Sequence, residues 1–108
     1  MIQGPPPTLR AVLPNDAPST RILIADVWIS PRVLEKLETK HSVRERDVEE
    51  ALVLTHRVEA RWDFSEEHEC WRVLAVGVTD SGGVLKAALY PVDEHCGRWR
   101  LGTAFWAR

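Results

Sequence analysis

The strongest constraint on what this chain can fold into is a change of hydrophobic period just past Leu54. Upstream, Val33, Leu34 and Leu37 share one helical stripe, and Val48, Ala51 and Leu52 share the next. Downstream the residues alternate: Val58, Ala60, Trp62 and Phe64 fall on one side, Arg57, Glu59, Arg61 and Asp63 on the other. A period near 3.6 builds a one-sided helix, whereas a period of two builds a half-buried strand. Helices followed by a run of strands predict an α+β domain.

Local signals place the elements. Arg21 to Ile29 is rich in β-branched residues and predicts a strand. Ser30-Pro31 supplies an N-cap and a first-turn proline for a helix reaching Lys40. Ser42-Val43-Arg44-Glu45 fits a capping box that opens a second helix, reaching Leu54. Strands then follow at His56 to Phe64, Trp71 to Thr79, Val84 to Tyr90 and Arg98 to Trp106. The turn Asp80-Ser81-Gly82-Gly83 and the turn from Asp93 to Gly97 make the last of these a meander. The expected fold is two short helices packed on one face of a four- or five-stranded antiparallel sheet. Residues 21–108 form that single domain, behind a proline-rich arm over residues 1–20 that carries Pro5, Pro6, Pro7, Pro14 and Pro18.

With 108 residues, 44% of them hydrophobic and 28% charged, the chain can bury a core without a metal or a disulfide. No apolar run approaches the ~18 residues of a membrane span, and the N-terminus lacks the pattern of a signal peptide. The expectation is a cytoplasmic protein with no membrane partner. Cys70 and Cys96 show no zinc-ligand spacing, and His41, His56, His68 and His95 are scattered, so neither a metal nor a cofactor is expected.

Fourteen basic residues oppose sixteen acidic ones, a net charge of -2, which argues against a dedicated nucleic-acid binder but leaves room for a local patch. Strand alternation predicts such a patch. Val58, Ala60, Trp62, Phe64, Leu74, Val76, Val78, Leu85, Ala87, Leu89, Trp99, Leu101 and Phe105 are expected beneath the helices, with Trp62, Leu74, Leu89 and Leu101 buried. The opposite parity carries Arg57, Arg61, Lys86, Tyr90, Arg98, Arg100 and Trp106. Arginines beside aromatic rings suit phosphate contact and base stacking. Arg72 falls on the apolar parity, so a β-bulge is expected near Cys70–Arg72.

Lys40-His41-Ser42-Val43, with Asp47-Val48-Glu49-Glu50-Ala51-Leu52 after it, resembles the KHGV…EEA segment of BrnT-type toxins, members of the RelE-like ribonuclease group. The later pattern is similar too: Arg72-Val73-Leu74-Ala75-Val76-Gly77, Asp80-Ser81-Gly82-Gly83-Val84-Leu85, and a closing strand with Gly102-Thr103-Ala104. The likeness spans roughly residues 25–106. Val78 and Phe105 stand where that family often carries arginine. The resemblance implies a RelE/BrnT-like fold and metal-independent endoribonuclease activity, with RNA and a cognate antitoxin-like protein as partners. In that reading His41 moves the proton, Arg61 and Arg72 complete the catalytic set, and Lys40, Arg57, Lys86, Tyr90, Arg98, Arg100 and Trp106 bind RNA or phosphate. The alternative is a non-catalytic protein-binding module of the same fold. Five tryptophans in so short a chain suit an interface, including one between copies of the chain.

Overall fold

The computed structural model describes residues 20–53 and 58–107. The proline-rich arm lies outside them except for its last residue, Thr20, and so does the candidate phosphate ligand Arg57. The element order is β1 (Thr20–Ile22), β2 (Asp26–Trp28), α1 (Pro31–Lys36) running into a π turn (Leu37–His41), α2 (Glu45–Val48) running into a second π turn (Glu49–Val53), then β3 (Val58–Ser65), β4 (Cys70–Val78), β5 (Val84–Asp93) and β6 (Arg98–Trp106). The α+β class and the two short helices match the sequence expectation. The sheet does not: it has six strands in the order β1-β3-β4-β5-β6-β2, and β2 runs parallel to β6.

The extra strands come from Arg21 to Ile29, expected as one strand and found as two. The chain turns at Ile24, which is fully buried, and the N–H groups of Ala25 and Asp26 both donate to the Gly97 carbonyl, at 2.8 and 3.1 Å. β1 therefore lies on one edge of the sheet and β2 on the other. Four residue steps from Ile22 to Asp26 span at most ~14 Å. The two edges must come within that reach, so the sheet curls. Trp62 on β3 and Trp99 on β6 consequently meet across the core, with ring centroids 6.2 Å apart.

Ser30 caps α1, its Oγ accepting from the Val33 N–H at 3.2 Å. The capping box expected at Ser42 is displaced by two residues. Arg44 occupies the N-cap position and its N–H donates to the Asp47 carboxylate at 2.9 Å. Ser42 instead ends the first π turn in the left-handed region, with φ of 55°. Burial of Val43 explains the shift: this residue sits at 0% exposure and its N–H bonds back to Leu37, so the corner comes before it.

Both helical segments lie on one face of the sheet. Beneath them run two cross-strand rows, Trp62–Val73–Leu89–Leu101 and Ala60–Ala75–Ala87–Ala104. The alanine row leaves room for the helical layer. At Gly77 the approach is closest, since any side chain there would collide with the Ala51 carbonyl.

Two face assignments are corrected. On β4, Val73, Ala75 and Gly77 face the helices, while Leu74, Val76 and Val78 face away; Leu74 is only half-buried. No bulge occurs near Cys70–Arg72, because the β3–β4 register is continuous from Glu59↔Val76 to Ser65↔Cys70. The β5–β6 ladder is irregular at two places instead: at Gly102, where β6 carries one residue more than β5, and at Val92, where β5 carries one more than β6. The Gly102 bulge moves Phe105 to the open face and brings Trp106 beneath the helical layer, the reverse of strict alternation. Phe64 keeps its parity but is exposed, packing edge-on against Trp71.

Candidate functional site

The open face of the sheet carries the candidate residues in three rows set by register. The first is Asp63–Arg72 with Tyr90–Arg100, the second Arg61–Leu74–Ala88–Thr103, and the third Arg21–Glu59–Val76–Lys86–Phe105. The second and third rows bound an open groove of about 460 Å³, to which Arg61, Arg72, Leu74, Lys86, Thr103 and Phe105 contribute.

The cations of the groove differ in freedom. Arg72 donates from Nε to Asp63 Oδ2 at 3.1 Å, and both side chains are about three-quarters buried. Partial burial works against its charge, but the Tyr90 and Asp63 side chains outweigh that as hydrogen-bond and charge partners, so its pKa is raised. Arg72 is thus a fixed cation, half neutralised by its partner. Arg61 and Lys86 are exposed, and among the described residues no carboxylate lies within ion-pair distance of either. Glu59 also lines the groove, so Arg61 and Lys86 are cations without an ion-pair partner among the described residues rather than the groove's only charges.

His41 ends the first π turn and reaches the rim of the sheet beside β6. Its ring centroid is 6.3 Å from that of Phe105, tilted at 46°. Register pairs Phe105 with Lys86, and both line the groove, so His41 adjoins the groove through Phe105 without lining it. Lys40 is exposed next to His41. Trp106 does not join them: it lies on the helix face, and its indole N–H donates to the Ser42 carbonyl at 3.2 Å.

Tyr90 is only 8% exposed. The Arg100 guanidinium covers one face of its ring at 4.7 Å, and the His68 ring stands edge-on at 6.0 Å. Gly102 has no side chain because the Tyr90 ring occupies that space. Arg98 shares the open face but lies in register between Asp26 and Asp93, an acidic setting that disfavours phosphate. Among the described residues no three His, Cys, Asp or Glu side chains gather to hold a metal, and no helix is long and apolar enough to cross a membrane.

No protein family, curated protein or solved structure matches this chain.

The structure therefore brings together Arg61, Arg72 and Lys86 in one groove, while His41 lies outside its lining and neighbours it only through Phe105. It sets Tyr90 and Arg100 at the neighbouring row and removes Trp106. Sequence reading missed Phe105, whose exposure follows from the Gly102 bulge, and His68, whose loop position gave no hint that it would meet Tyr90. It also missed Trp28, which register with Arg100 places on the open face. The only available signal was the glycine inside an otherwise regular β6.

Proposed function

We propose that this chain is a toxin-like endoribonuclease that cleaves single-stranded RNA through attack of a 2′-hydroxyl on the adjacent phosphate. The observation that supports the proposal is the His41 ring 6.3 Å from that of Phe105, which lines a groove whose Arg61 and Lys86 form no ion pair among the described residues, although Glu59 shares that lining. In this reaction the 2′-oxygen bonds to phosphorus and the bond to the 5′-oxygen breaks. A 2′,3′-cyclic phosphate remains on one product, and the leaving 5′-oxygen takes a proton from solvent water to become a 5′-hydroxyl on the other. His41, whose imidazole nitrogen can accept a proton, takes it from the 2′-hydroxyl. Arg61 and Lys86 stabilise the charge that builds on the phosphorane, and Arg72 adds a fixed cation at the groove wall. Phe105 offers a face for the base next to the cut. The roles need no metal ion.

A second reading, a non-catalytic module that binds an antitoxin-like protein, is favoured by one observation. Val76, Val78 and Val84 are exposed together on the same open face, on neighbouring strands. A protein seated there would cover them.

Inducible expression in a bacterium separates the two. The ribonuclease reading expects growth arrest by the unmodified chain and none by His41→Ala. Growth unaffected by the unmodified chain, with tight binding to the small protein encoded beside it, would support the binding module instead.

A further inference from the structure

The row that contains Tyr90 continues past β6. Trp28 on β2 pairs in register with Arg100, and paired residues on neighbouring strands share a face. The open face thus carries, in sequence across four strands, Arg72, Tyr90, Arg100 and Trp28. Within this row Tyr90 is spent: its ring is covered by Arg100, flanked by His68 and seated on Gly102. Trp28, by contrast, is 56% exposed, the most open of the large aromatic side chains among the described residues. Arg100, beside it, has no carboxylate within ion-pair distance among those residues. An exposed indole in register with an arginine whose guanidinium rests on the Tyr90 ring and has no ion-pair partner among the described residues is a pairing that can stack a nucleobase while the cation meets its phosphate.

The same pairing occurs at the other end of β6, where Phe105, 43% exposed, stands in register with Lys86. Five residues separate Arg100 from Phe105, about 16 Å at ~3.3 Å per residue. Two aromatic platforms, each with its own cation, on one face and along one strand, suit an extended single strand better than a folded protein surface.

We infer that Trp28 and Arg100 form a second nucleobase subsite, which holds single-stranded RNA a few nucleotides away from the Phe105 end of the groove. This rests on the RNA reading above, and deepens it by assigning binding energy to a residue outside the groove.

The test is fluorescence anisotropy with a short 2′-O-methyl oligoribonucleotide, which cannot be cut by 2′-hydroxyl attack. A matched probe carries abasic positions at one end and then at the other. Trp28→Ala should weaken binding of the full probe by about 5- to 100-fold, and Trp28→Phe should restore most of it. Abasic positions at one of the two ends should erase the difference between the unmodified chain and Trp28→Ala. Because Trp28 is exposed, its thermal unfolding should barely move. Equal affinity of Trp28→Ala and the unmodified chain would overturn the subsite and leave the groove reading standing. An equal loss with every abasic probe would overturn stacking as its basis. Failure of the unmodified chain to bind any probe would overturn both the subsite and the RNA reading.

Discussion

The indole N–H of Trp106 donates to the Ser42 carbonyl at 3.2 Å, tying the end of the last strand to the left-handed corner that follows His41. Ser42 is a non-glycine residue with φ of 55°, a conformation that persists only when its surroundings hold it. Trp106 supplies part of that hold, and so acts on His41 without touching the groove. Trp106→Phe keeps a ring beneath the helices but removes the donor. It should cost about 1 kcal/mol in denaturant unfolding, and it should lower the RNA cleavage rate more than RNA affinity. Equal falls in both would mean the bond holds the fold alone.

The corrected face of β4 makes a paired prediction. Leu89 is fully buried in the row with Val73 and Leu101, so Leu89→Ala should cost ~2–5 kcal/mol. Leu74 is half-buried on the open face, so Leu74→Ala should cost about 1 kcal/mol or less. Equal losses by chemical denaturation would contradict the assignment.

Gly77 tests the seating of the second π turn. An alanine methyl there would meet the backbone oxygen of Ala51, which cannot rotate away as a side chain could. Gly77→Ala should destabilise by roughly 1–3 kcal/mol, the usual range for overpacking. A melting temperature equal to that of the unmodified chain would place the turn farther from β4.

These cases show what was legible in the sequence. The helix-to-strand switch after Leu54 and the Ser30-Pro31 start were readable because each depends on neighbours in sequence. β4 was not, because Leu74, Val76 and Val78 are as apolar as Val73 and Ala75, so alternation gives no preference between faces. Register with Ala60 and Ala87 decides it, and register is a long-range property. The Gly102 bulge inverted Phe105 and Trp106 for a similar reason: one extra residue reverses every side chain after it. The split of Arg21 to Ile29 depended on Gly97, more than seventy residues away. The candidate site was half readable. Strand alternation put Arg61 and Lys86 on the open face, whereas His41 and Arg72 entered through the resemblance and alternation put Arg72 on the opposite face; the Asp63 clamp on Arg72 and the burial of Tyr90 needed coordinates.

Arg61 and Lys86, which form no ion pair among the described residues, predict a salt signature. If Arg61 and Lys86 each neutralise one phosphate, Arg61→Gln should reduce the slope of log affinity against log salt by about 0.7, the single-strand value per contact. Arg98→Gln, set between Asp26 and Asp93, should leave the slope nearly unchanged. The reverse ranking would move the phosphate path away from the groove.

The most direct test of the central claim is cleavage of a single-stranded RNA by the purified chain in the presence of a chelator, with the product ends identified. The account predicts a 2′,3′-cyclic phosphate and a 5′-hydroxyl, formed by the unmodified chain and slowed ~10²–10⁴-fold in His41→Ala, with the unfolding transition of that variant little changed. Cleavage at an unaltered rate by His41→Ala, or no cleavage of any RNA by the unmodified chain, would contradict it.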